Sequence, residues 1–162
     1  MNKQSVISLL DLAPHPCEGG YFKRTYTAPE KIVLPLGERN IMSSIYYMLS
    51  DDSPIGYMHR NRSDIVHYYH GGGALKYILL SPEGELSETV LGHNLVGGEK
   101  LQLLVPGGYW KASILLAGDY GLISEAVAPG FDPDDNELAD REFIKKHFPK
   151  HYSVVEGYIK NK

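Results

Sequence analysis

Residues 56–80 read GYMHRNRSDIVHYYHGGGALKYILL, and this stretch decides the fold class. Three short segments rich in β-branched and aromatic residues, Gly56–Asn61, Ile65–His70 and Leu75–Leu80, are set apart by Arg62-Ser63-Asp64 and Gly71-Gly72-Gly73. Short strands with turn chemistry between them belong to a sandwich or barrel. Upstream, Ile41–Leu49 (IMSSIYYML) reads as a strand closed by Asp51-Asp52-Ser53-Pro54, and Tyr21–Thr27 as another. Downstream come Leu86–Leu91, Leu101–Val105, Ala112–Ala117 and Tyr120–Ala128, each bounded by Gly- or Pro-containing turns. The spacing predicts a short helix over Ser5–Leu12, with Val6, Leu9 and Leu10 on one side, and a second over Asn136–Phe148. Acids near the start of the second and Lys145-Lys146 near its end suit the helix dipole, and Pro149 stops it. Asp132-Pro133-Asp134-Asp135 reads as helix-start acids; it lacks the Gly and distal Glu of a calcium loop. Tyr152–Ile159 stays open between a last strand and an extended tail.

The 162 residues suit one domain, 1–162. With 43% hydrophobic and 22% charged residues the chain can build a core. A net charge of −4 disfavours nucleic acid as a partner. Cys17 is the sole cysteine, so no internal disulfide and no cysteine-rich zinc site can form. No apolar run suits a membrane span, and the N-terminus makes a poor signal peptide; a cytoplasmic location is the expectation. Asn61-Arg62-Ser63 then counts as a chance glycosylation match. Twelve Tyr among many Gly and Pro suggest strands whose aromatic faces line a cavity. The chain has no Walker A loop, dinucleotide fingerprint, nucleophile elbow or H-E-x-x-H. Cys17, beside Glu18, is a poor nucleophile.

Pro14-His15-Pro16-Cys17-Glu18-Gly19-Gly20-Tyr21-Phe22, then His59-Arg60-Asn61, Val105-Pro106-Gly107-Gly108-Tyr109-Trp110 and Ala128-Pro129-Gly130-Phe131 follow one another in order. Together they resemble a family of small, largely uncharacterised cupins (type 5), over most of the chain. The resemblance implies an all-β, double-stranded β-helix, a jelly-roll barrel with a short helix near each end. It also implies a homodimer and a kinship in fold with dTDP-sugar epimerases.

Many cupins hold a metal on an H-x-H pair, a following Glu and a later His. Laid on this chain, those positions carry His59, Asn61, Ile65 or Val66, and Lys111, so no metal or other cofactor is expected. His67 and His70, three apart on one strand, point to opposite faces.

The same positions make a polar pocket. By parity His59 and Asn61 face inward; His67 and Tyr69 follow if the hairpin pairs as in relatives. Gln102 stands on the facing strand, Lys111 near the mouth, and Phe131 and Asp132 where the Ala-Pro-Gly-Phe segment crosses it. A His base (His59 or His67), the Tyr69 acid and the Lys111 cation are the parts an epimerase needs to remove a proton beside a carbonyl. The related epimerases orient their His with a carboxylate; here none is identified. Two alternatives stand beside an isomerase or epimerase: a non-catalytic ligand-binding or sensing module, and a metal-dependent oxygenase or isomerase with altered ligands. Lys111 has no evident anionic neighbour, so an anionic or sugar-derived small molecule is expected as its counter-charge, with a solvent-exposed Lys111 at the rim as the other reading.

Overall fold

A computed structural model describes residues 1–35 and 37–161. Helix α1 (Lys3–Leu10) starts where the Asn2 side chain accepts the Ser5 N–H and ends at Asp11 in a left-handed conformation. Then come strands β1 (Ala13–Pro14), β2 (Tyr21–Thr27), β3 (Lys31–Leu34), β4 (Gly37–Asn40), β5 (Ser43–Ser50), β6 (Ile55–Asn61) and β7 (Asp64–Gly72). They are followed by β8 (Leu75–Leu80), β9 (Leu86–Leu91), β10 (Gln102–Val105), β11 (Trp110–Leu115), β12 (Tyr120–Ala128) and β13 (Asn136–Leu138). Helices α2 (Arg141–His147) and α3 (Tyr152–Val155) close the chain.

Eleven of the strands form two antiparallel sheets, and β3 and β4 make a separate hairpin. The first has the order β1-β2-β5-β12-β7-β10 and the second β13-β6-β11-β8-β9. From β5 on, the chain alternates between sheets, leaving that rhythm only at the β8–β9 hairpin. This is a jelly-roll barrel, as the strand pattern and the resemblance predicted.

Period-two alternation sorts the core. One end of the barrel is filled by Tyr47, Leu49, Leu75, Tyr77, Leu103 and their neighbours. On β6, Met58 turns the other way and joins Trp110, Ile144, Val155 and Ile159, so α2 and α3 cover the outside of the second sheet. Helix α1 covers part of the first sheet through Val6, Leu12 and Met48. Burial on both faces holds β6 and β11 in place, and they carry much of the site.

Three readings need correction. Asn136–Leu138 is a strand paired with β6, and the helix begins only at Arg141, where Asp140 accepts the Phe143 N–H. Residues 152–158 are helical, not extended: Tyr152, Val155 and Ile159 recur at helical spacing and pack on the second sheet. The β3–β4 hairpin was not foreseen. In the acidic stretch Asp132 caps a single 3-10 turn, while buried Asp135 grips Arg39 through two bonds of 2.6 and 3.0 Å.

Candidate functional site

A pocket opens between the sheets at the end of the barrel away from the apolar plug. His15, Glu18, Phe22, Arg24, Ile45, His59, Asn61, Glu125, Phe131 and Asn136 are on its wall. Its enclosed volume is about 50 Å³; counted out through the mouth into open solvent the empty space is about 460 Å³, so a ligand of more than a few atoms extends from the cavity into the mouth.

One wall is built by the loop before β2. The His15 Nδ1 accepts the backbone N–H of Glu18 at 2.9 Å, which bends the loop and points Glu18 inward. Gly19 and Gly20 both have positive φ, and a Cβ on either would lie within 2.6 Å of a backbone oxygen, so only glycine fits. Tyr47 locks the bend by donating its hydroxyl to Gly19 O at 2.9 Å. Glu18 accepts the Asn136 Nδ2 at 2.8 Å and faces His59 Nε2 at 3.4 Å. Burial pushes the Glu18 carboxyl up, but His59, His15, Lys111 and the Asn136 amide together bring it below its ordinary value. His59 Nδ1 lies 2.6 Å from Tyr57 O and must donate to it, since a carbonyl only accepts. That leaves Nε2 as the ring nitrogen that faces Glu18. The two form an acid–base pair.

The opposite wall comes from the first sheet, where Glu125 on β12 stands directly across from His67 on β7. His67 is fully buried. Its Nε2 lies 3.2 Å from Lys111 Nζ, a donor, and its Nδ1 lies 3.2 Å from Glu125 Oε1. That fixes its tautomer: Nε2 accepts from Lys111, so Nδ1 carries the hydrogen, with the Tyr77 hydroxyl as its hydrogen-bond partner at 3.4 Å and Glu125 Oε1 alongside. Burial, reinforced by Lys111 and His59, holds the His67 pKa well below its ordinary value, so the ring is neutral. Lys111 Nζ reaches Glu125 Oε1 at 3.3 Å from the other sheet. Oε1 thus accepts from Lys111 and lies against His67 Nδ1, while Oε2 has no hydrogen-bond partner among the described residues.

The site residues expected from sequence divide accordingly. His59, Asn61 and Phe131 line the pocket. His67 and Lys111 lie in the layer behind Glu125. Lys111 is 5% exposed and does not reach solvent at the rim; its counter-charge is Glu125, not a ligand. Tyr69 does face the barrel interior, but near its other end: its hydroxyl donates to Gly72 O at 2.7 Å, away from the pocket wall. Gln102, on edge strand β10, is exposed across from Tyr68, so its parity was misjudged. Asp132 caps the 3-10 turn, 3.9 Å from Arg39, and is not on the wall. His70 points outward to Ser124 Oγ. Sequence reasoning missed Glu18, Glu125, Arg24 and Asn136. Glu18 lay in a motif used only to recognise the family; Glu125 could have been found from the alternation of Ile123, Glu125 and Val127.

The residues do not fit the metal many cupins hold. Asn61, Ile65 and Lys111 occupy ligand positions, and the ammonium sits against His67 Nε2 where an ion would compete with it. His15 spends its one lone pair on backbone N–H groups and cannot also ligate through Nε2. Among the described residues no group of three or more His, Cys, Asp or Glu is arranged around a metal position.

The family model described as Cupin superfamily (DUF985) matches residues 4–139. The uncharacterised protein YML079W of Saccharomyces cerevisiae is 40% identical over 159 residues, which covers 89% of the chain and 78% of that protein. A hypothetical protein from Leishmania major superposes with a TM-score of 0.92 at 28% identity, over 99% of this chain and 100% of the other. Protein SO0799 from Shewanella oneidensis superposes at 0.89 with 33% identity, covering 100% of this chain and 99% of the other. Oxalate decarboxylase from Bacillus subtilis shares the fold alone, with a TM-score of 0.58 and 17% identity over 94% of this chain and 38% of that one.

Proposed function

The chain belongs to the DUF985 family of the cupin superfamily, and from that premise we propose that its pocket binds a small anionic, sugar-derived carbonyl compound and moves a proton at the carbon beside the carbonyl, as an isomerase or epimerase does. The observation that carries this reading is the placement of two acid–base groups on opposite walls of one pocket: Glu125 on the first sheet, and the His59–Glu18 pair formed by the second sheet and the preceding loop. A ligand held between them is approached from both faces. Glu125 Oε2 takes the proton, the electron pair moves onto the carbonyl oxygen, and a proton from the His59–Glu18 pair goes to the other face; the reverse reaction exchanges the roles. Lys111 and His67 orient Glu125 and leave Oε2 for the ligand. Arg24 stands at the mouth with its guanidinium 5.5 Å from the Phe131 ring centroid and no ion pair among the described residues, which suits it to receive the ligand's carboxylate or phosphate.

Incubation in D2O with a panel of keto acids, sugar phosphates and nucleotide sugars tests the proposal by mass spectrometry. The expected result is one deuterium gained by a panel member and lost with Glu125→Gln and with His59→Ala. If a panel member shifts the melting temperature of the protein but none gains deuterium, the site is a binding or sensing module, and the catalytic reading is overturned.

A further inference from the structure

Two buried polar atoms of the pocket have no hydrogen-bond partner: Asn61 Nδ2 and Asn136 Oδ1. The residues stand directly opposite each other where β6 pairs with β13, and both lie on the pocket wall. Neither amide can be turned to remove the mismatch. Asn61 Oδ1 accepts the buried Ser63 N–H at 2.9 Å, which holds Nδ2 in the other position. Asn136 Nδ2 donates to Glu18 Oε1 at 2.8 Å, which holds Oδ1 in the other position. Asn61 is 6% exposed, and an unmet donor at that depth is costly in the empty protein. The wall therefore holds an unmet donor and an unmet acceptor on paired residues beside the Glu18 carboxylate, both covered by their neighbours until the wall opens enough to admit a group between them.

A hydroxyl group complements such a pair, because its oxygen accepts one hydrogen bond while its own hydrogen donates another. We propose that Asn61 and Asn136 recognise a hydroxyl of the ligand, so that the compound taken by this site is a hydroxylated, sugar-type carbonyl acid rather than a plain keto acid. This rests on the pocket reading given above but not on its chemistry: recognition by the two amides is a property of binding. The hydroxyl lies on the side of Glu18 and His59, and Arg24 marks the opposite, outer end of the ligand. A site built to hydrogen-bond a hydroxyl discriminates strongly against the analogue that lacks it, because its own buried groups are then left unpaired.

Matched pairs of ligands test this on the native protein. Calorimetry with C4–C6 sugar acids and their singly deoxygenated analogues should show one hydroxyl whose removal weakens binding at least about tenfold, roughly 1.4 kcal/mol. Asn61→Asp keeps the acceptor for Ser63, removes the free donor and adds a negative charge that weakens both members of a ligand pair alike; with it, or with Asn136→Ala, the parent and that deoxy analogue should bind within about twofold of each other. The proposal is overturned if every deoxy analogue binds the native protein as tightly as its parent, if none of the sugar acids binds, or if the variants keep the discrimination. Should a variant fail to fold, the ligand pairs on the native protein still decide. Hydroxyl discrimination without deuterium exchange would sink the proton-transfer reading and leave this one intact. Exchange of deoxy and parent compounds with equal affinity would do the opposite.

Discussion

His67 is held neutral in the folded protein by burial, with Lys111 and His59 adding to the effect. In the unfolded chain it titrates near the ordinary imidazole value of about 6.5. As pH falls below about 6.5 the unfolded state binds a proton that the folded state refuses, so stability declines on the acid side. Above that value both states are neutral and the term vanishes. His15, also depressed by burial, acts in the same direction. The urea midpoint should therefore fall between pH 7 and pH 5, before carboxylates contribute. Each such histidine supplies at most about 1.4 kcal/mol per pH unit. His67→Gln should flatten the slope; a slope unchanged by the substitution would show that the ring is charged in the folded state.

Strand β11 of the second sheet and strand β12 of the first meet through Lys111 and Glu125, an ion pair with side chains 6% and 11% exposed. Removing one partner of such a buried pair leaves the other charge uncompensated and costs about 3–5 kcal/mol, whereas removing both costs far less. We expect Lys111→Met to lower the urea midpoint sharply, and Lys111→Met with Glu125→Gln to recover at least half the loss. A double variant as unstable as the single one would mean that Lys111 contributes by packing alone. This contact between elements is also where sequence reading stops. The alternation that brought out His59 and Asn61 is local to β6, and the strand pattern needed nothing more distant than the next turn. Which strands become neighbours is not local. Glu125 and Lys111 are on consecutive strands, yet they pair only because the chain changes sheets between them, so the Glu read as an ordinary polar residue. Gln102 alternates with Leu103 and Val105, which face the core, so parity on β10 turns Gln102 outward; it was read only as standing on the facing strand. Glu18 lies in a loop whose course is set by His15 and two glycines, and no periodicity extends there. Tyr152–Ile159 was ambiguous because it is short and its apolar spacing satisfies a helix only when the second sheet is there to pack against.

At the scale of the whole molecule the barrel leaves apolar groups uncovered both around β10, at Leu95, Val96, Leu101 and Leu104, and along the flank of β2 and β3. Tyr26 on β2, Ile32 and Val33 on β3, and Ile41 and Met42 before β5 are exposed large apolar groups, Val33 at 82%. Strand β1, which covers the outer edge of β2, is two residues long. Exposed apolar residues beside a strand edge favour association. We expect a homodimer through this flank. Light scattering should give twice the 18.1 kDa chain mass, and Val33→Glu should shift the protein toward the monomer; a monomer at micromolar concentration in the unaltered protein would refute the dimer. The alternation of the chain between sheets has a separate consequence for how the protein comes into being. No cut of the polypeptide yields one fragment per sheet, so neither large sheet is complete within either half of the chain. On the ribosome, the emerging chain holds His59 and His67 long before Lys111, Glu125 and Asn136 leave the exit tunnel. Until then β5 and β7 lack β12 between them and β6 and β8 lack β11, so neither wall is closed, and the interval before residue 136 is synthesised is when a chaperone has most to shield.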